Sequence, residues 1–175
     1  MTRITLIATF ALTVALVAPS FAAEAMTDQQ RKAILKVADD AKKALLAKDH
    51  DTFVGLLYPE MVKAAGGKER MIQMLKAEDA KNDAAGVVVE SLDFAAADAM
   101  HTGSEFKLTF VTSTLVAKIG ATRIQSRSFY VAFSPLRSER WYLLDGTRLT
   151  MPQFRQVFRG FPADLQLPTI EKKTL

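Results

Sequence analysis

The residues best placed to do chemistry lie on one predicted β-hairpin. Strand periodicity runs through Glu105–Lys118 and Ala121–Ser134, and Ile119-Gly120 reads as the tight turn between them. A two-residue loop there sets Val116 across from Arg123, Thr114 from Gln125 and Thr112 from Arg127. Further from the turn it sets Phe110 across from Phe129, Leu108 from Val131 and Phe106 from Phe133. Strand side chains alternate, so all of these share one face. A one-residue slip would divide the apolar residues between two faces, and burial opposes it. The half of that face distal to the turn is wholly apolar. The half near the turn carries Thr112, Thr114, Gln125, Arg127 and Arg123. An apolar floor with a polar end is the layout of a small-ligand site. Arg127 stands at the boundary, where its planar guanidinium would grip a carboxylate or phosphate in a bidentate way. The ligand-binding candidates are therefore Arg127, Gln125, Thr112, Thr114, Phe110 and Phe129. The competing reading is a hairpin that overshoots its cover and ends in water.

Asp145 is the one candidate general base. It follows Trp141 and Leu143 on one face of the last predicted strand, Arg140–Asp145. On the inner face it would approach Arg127 as a buried carboxylate; on the outer face Asp145-Gly146 is a turn. The Ser134–Arg140 loop permits either parity. The two histidines, His50 and His101, read as structural. His50 sits between Asp49 and Asp51 at a helix junction, where neighbouring side chains diverge and no metal cluster forms. His101 falls beside Gly103 in a predicted solvated loop. Gly66-Gly67-Lys68-Glu69 lacks the spacing and the hydroxyl of a phosphate loop and punctuates helices instead. Met61, Met71 and Met74 read as adaptable core. No metal and no cofactor is assigned.

These residues must be positioned by two halves of unlike periodicity. Thr27 to Asp83 is helical and Val87 to Gly146 is strand-like. Thr27 with Gln30 makes a capping box before an apolar stripe of Ile34, Val37, Ala38, Ala41 and Leu45. Asp51 reads as the cap of a short second helix that Tyr58-Pro59 ends. Gly66-Gly67 precedes a third helix, Lys68–Lys81. Val87–Phe94 is the first strand and Ala95–Ser104 a loop. Thr150 with Gln153 caps a short terminal helix, and the tail after Phe161-Pro162 packs on the domain. Helices first and an antiparallel sheet afterwards is an α+β arrangement: three N-terminal helices on a curved antiparallel sheet, with a short C-terminal helix. A cavity is expected between sheet and helices.

Residues 1–25 read as an export signal. Arg3 is a short basic region, Leu6–Ala18 is an apolar run shorter than a bilayer span, and small residues fit a cut after Ala22 or Ala25. A retained anchor is the competing reading. Residues 26–175 have the size of one domain. The chain has no cysteine, which excludes disulfides and thiol chemistry and suits a bacterial periplasm or the medium. Its net charge is +4, with acids and bases interspersed through Asp28–Asp83. That is a solvated helix surface, not the basic stripe nucleic acid requires. Neither nucleic acid nor, after cleavage, a membrane is an expected partner.

Local patterns add a resemblance. Asp51-Thr52-Phe53-Val54, Tyr58-Pro59, Gly66-Gly67-Lys68-Glu69 and Met71-Ile72 lie in the helical half. Trp141-Tyr142-Leu143-Leu144-Asp145-Gly146, Phe161-Pro162 and Leu165-Gln166-Leu167-Pro168 lie in the other. With the order of elements, they resemble the nuclear transport factor 2-like superfamily, and within it an exported, uncharacterised bacterial group. The resemblance implies the cone-shaped, cystatin-like roll shared with ketosteroid isomerase and SnoaL-type cyclases, and the pocket inside it. Three functions are consistent with it: a non-catalytic domain binding a small, partly apolar ligand, neutral or anionic, with Arg127 as its polar anchor; an isomerase, cyclase or dehydratase using Asp145; or a homodimer formed through the sheet face of Thr109, Val111, Ser113, Leu115, Ile124, Ser126, Ser128 and Tyr130.

Overall fold

Thr27 starts the helical half as its side chain requires: it accepts from the Gln30 backbone N–H, and the Gln30 side chain accepts from Thr27. The structure, a computed structural model, describes residues 23–96, 99–147, 149–162 and 164–175. The proposed signal, up to the cut after Ala22, lies outside the described residues. Helix α1 (Asp28–Leu46) buries Ile34, Ala38, Ala41 and Ala44 on one stripe. Helix α2 (His50–Leu56) begins earlier than expected. Asp49, not Asp51, is its cap, accepting from Thr52 N at 3.1 Å, while Asp51 reaches out to Lys68. The chain leaves the helical region before Pro59, as expected, with Leu57 and Tyr58 extended, but Pro59 also opens a further helix, α3 (Pro59–Ala64), where a proline with no N–H to lose is well placed. Helix α4 (Lys68–Ala84) follows Gly66 and Gly67, both at φ 96°. Four helices thus precede the long strands where three were expected.

The sheet is antiparallel throughout and comprises β1 (Glu24–Ala25), β2 (Val87–Ala96), β3 (Ala99–Thr102), β4 (Phe106–Ile119), β5 (Thr122–Pro135), β6 (Tyr142–Asp145) and β7 (Glu171–Thr174). β4 and β5 are its spine. β3 and β2 share the outer side of β4, and β6 and β7 share the outer side of β5. β1 extends β3. The expected loop Ala95–Ser104 is largely strand, and a bulge at Glu90 bends β2. Helix α5 (Met151–Val157) starts at the Thr150–Gln153 capping box. The architecture is α+β, with helices on a curved antiparallel sheet.

The central hairpin keeps the expected faces but not the expected partners. Its loop is Gly120-Ala121, closed by Ile119 opposite Thr122. Phe110 therefore stands across from Val131, Thr112 from Phe129, Thr114 from Arg127 and Val116 from Gln125. The cause is the turn. Gly120 has φ 59°, and a two-residue loop with a positive φ at its first position alone needs glycine there. Ile119-Gly120 would have put β-branched isoleucine in that place. The difference is two residues, so side-chain parity survives.

The larger correction concerns which face lies under which helices. The face of Leu108, Phe110, Phe129, Val131 and Phe133 is covered by the C-terminal segment, through Phe154, Phe158, Phe161 and Leu165. The opposite face, including Val111 and Ala132, lies under α1 and α2 with Ile34, Ala38, Ala41, Ala44 and Phe53. Thr109, Val111, Ser113 and Ser128, expected on an exposed dimer face, are buried. Size distinguishes the two faces of the central hairpin: on the α1 side Thr109, Val111, Ser113, Ser128 and Ala132 are small, with Tyr130 the large exception, while phenylalanines face phenylalanines on the other side.

Candidate functional site

Each sequence-predicted site residue has a definite place. Phe110 and Phe129 are core, their rings edge-to-face at 5.8 Å in the cluster that α5 completes. Thr112 and Thr114 lie on the same face, further toward the turn. Gln125 and Arg127 reach the end of that face, where β7 pairs alongside and sets Lys173 opposite Gln125 and Glu171 opposite Arg127. Gln125, Arg127 and the β7 residues line an open groove of about 310 Å³. Arg127 is exposed. The apolar floor of the expected site is filled by the C-terminal segment, and its polar end is solvated.

Asp145 does not meet Arg127. Its register partner is Tyr130, Leu143 stands opposite Ala132, and all four point to the α1 side of the sheet, away from Arg127. Asp145 is exposed, and its Oδ1 accepts from Thr147 N at 2.8 Å and Thr147 Oγ1 at 2.6 Å. The parity that the sequence left open is settled toward the N-terminal helices.

His101 is not in a solvated loop. It stands on β3 opposite Leu108, half-buried, its ring 6.1 Å from that of Phe110. Burial pushes its imidazole below the usual value, with Asp164 offsetting part of the effect. A histidine whose folded-state value is depressed stabilises the fold above its unfolded value of about 6.5 and loses that contribution as pH falls through the folded value. The expected outcome is a stability that declines on acidification below about pH 6.5, with the decline reduced in His101→Phe. Urea midpoints across that range check it. His50 is buried at the start of α2, with Nε2 3.1 Å from Asp79 Oδ2 on α4. Among the described residues no cluster of metal-ligating side chains occurs. No described helix is long and apolar enough to cross a membrane.

A cavity does lie between sheet and helices, on the opposite face from the predicted ligand-binding residues. It measures about 360 Å³. α1 and α2 contribute Leu45 and Phe53 to its walls, and Leu57 just after α2 also bridges to Leu143 on β6. α3 and α4 roof it with Met61, Met71 and Leu75, joined by Ala65 between them. The sheet supplies Tyr130, Leu143, Leu144 and Asp145. Met61 and Met71 thus line a cavity, a place suited to flexible side chains, while Met74 is more than half exposed. Tyr130 is the polar group of interest. Its ring packs edge-to-face on Phe94 at 5.5 Å. Its hydroxyl has no hydrogen-bond partner among the described residues. Burial, and secondarily the Asp145 carboxylate, hold the phenol above its ordinary value. The lining has no cationic group, and Asp145 makes the polar end electronegative. The cavity thus suits neutral apolar molecules, offers one hydroxyl, and disfavours anions.

Comparison with family models, with curated proteins and with solved structures finds no match for this chain.

Proposed function

We propose that this protein is an exported, non-catalytic carrier of a small neutral apolar molecule, held in the cavity between helices and sheet. The observation that carries the reading is the composition of that cavity: about 360 Å³, apolar on most of its lining, with an unpartnered phenol among the described residues that form it. A volume in that range suits a ligand of modest size. The helices-then-sheet order supports a nuclear transport factor 2-like roll as its fold family. Asp145 supports catalysis less well, because its exposed carboxylate already holds a turn through Thr147. Arg127 has no part in this reading.

The uncharged fluorophore N-phenyl-1-naphthylamine tests it. The expected result is saturable binding, weakened at least about tenfold in Leu75→Trp, which fills the cavity from the half-buried face of α4 while leaving the melting temperature intact. Equal binding by the filled variant would sink the reading. Arg127→Ala leaves binding unchanged.

Export is part of the proposal, and the fold favours one processing site. A cut after Ala22 keeps β1 paired with β3; a cut after Ala25 removes β1 and leaves a charged amino terminus on the buried Met26. Amino-terminal sequencing of exported protein is expected to begin at Ala23. A start at Met26 would show β1 to be dispensable.

A further inference from the structure

We propose that α4 is a lid over the apolar cavity, hinged on glycines and latched by ion pairs; the proposal rests on that cavity being the ligand site. α4 is attached unlike α1, the other long helix. α1 buries Ile34, Ala38, Ala41 and Ala44, whereas α4 has no buried residue along its whole length. Met71 and Leu75, half-buried, are its contribution to the cavity roof. Lifting it therefore exposes little apolar surface that is not already part of the cavity.

Two ion pairs and one histidine–carboxylate contact hold it down instead, and all run to α2 or to the turn before α2. Lys68 Nζ lies 2.9 Å from Asp51 Oδ2 near its start. Asp79 Oδ2 lies 3.1 Å from His50 Nε2 further along. Asp83 Oδ2 lies 2.7 Å from Lys48 Nζ near its end. The first and last pairs are solvent-exposed, a class of contact that is individually weak and screened by salt. Both ends of the helix carry glycines in left-handed conformations: Gly66 and Gly67 at φ 96° before it, Gly86 at φ 65° after it. Gly67 caps the helix without a side-chain hydrogen bond. Small residues at the ends of an element are where a hinge absorbs rotation. Glycine hinges, electrostatic latches and an apolar chamber beneath combine into a device that admits ligand without unpacking α1 or the sheet.

The chain lacks cysteine, so a single introduced thiol reports opening cleanly. Leu143→Cys places one on the cavity wall at a site 1% exposed; Phe53→Cys, on α2 at the same cavity, is the second reporter should the first fail to fold. Val111→Cys places another under α1, fully buried, as a measure of general loosening. Maleimide labelling is compared in the native background and with Asp51→Asn, Asp79→Asn and Asp83→Asn combined. The expected result is labelling of the cavity thiol about tenfold faster without the latches, and faster in about 0.5 M salt with them, while the Val111→Cys rate stays constant. N-phenyl-1-naphthylamine then enters and leaves the unlatched protein about tenfold faster, with its affinity within about twofold of native. Equal labelling with and without latches overturns the lid while probe binding keeps the site. A parallel rise at Val111→Cys also overturns it. Faster labelling in a protein that binds no probe overturns the proposal from the other side, because the helix then gates nothing.

Discussion

Phe129→Ala is expected to cost the fold about 3–5 kcal/mol, the loss typical of deleting a core phenylalanine. Phe129 is 1% exposed and sits in an aromatic cluster shared by the sheet and the C-terminal segment. Its ring meets Phe110 edge-to-face, and Phe110 in turn leans toward Phe154 on α5 at 6.5 Å. Truncation leaves a hole that two elements of different origin must close together, and a strand of the sheet spine has little freedom to move. Urea melts measure the loss. A change below about 0.5 kcal/mol, the scale of an ordinary surface substitution, would place the ring outside the core.

Gly146→Ala is expected to cost about 3 kcal/mol, the upper part of the range for overpacking a filled core. Gly146 follows β6 and donates its backbone N–H to the Phe129 carbonyl at 2.9 Å. A methyl group there would overlap the Phe129 ring itself. The glycine is needed for close approach, because its φ is not in the left-handed region. The same contact predicts non-additivity. With Phe129→Ala already in place the ring is gone, and adding Gly146→Ala should cost far less than it does alone. Denaturant melts of the four proteins in that cycle provide the check. Fully additive losses would mean that the added methyl meets something other than Phe129.

Both residues lie in stretches the sequence describes well in one respect and poorly in another. The period-two alternation of β4 and β5 reveals which side chains travel together, and a register difference of two residues leaves that result untouched. Register itself depends on the loop, and there the informative residue is Gly120, whose place in the two-residue turn is first, not second. Which face meets the N-terminal helices is hidden for a physical reason. Aromatic content suggests that the Phe110 face must be the one under those helices, yet both faces of the distal half are covered. The usable signal is the alanine spacing of α1, Ala38, Ala41 and Ala44, which matches a sheet face of threonine, serine, valine and alanine better than one of phenylalanines. Proline is ambiguous likewise: before Pro59 the chain leaves the helical region, but at Pro59 it can enter a new helix. The cavity is the least legible feature. Its walls come from four helices and two strands, and each contributes residues that also read as ordinary core. Tyr130 gains its interest from its unpartnered hydroxyl, which alternation alone does not reveal.

The aromatic cover of the sheet has a consequence in time. Phe154, Phe158, Phe161 and Leu165 all follow β4, β5 and β6 in the chain, so one side of the spine stays bare until the segment after Gly146 has been delivered. A polypeptide threaded amino end first, from a ribosome or through a translocation pore, has its helices and both long strands before it has the means to close them. That side of the sheet is then a greasy ribbon exposed for as long as the end is missing. Proteolysis between β6 and α5 would recreate that state in the folded protein, turning a trimmed tail into an aggregation hazard on the opposite side of the sheet from the helix-roofed cavity.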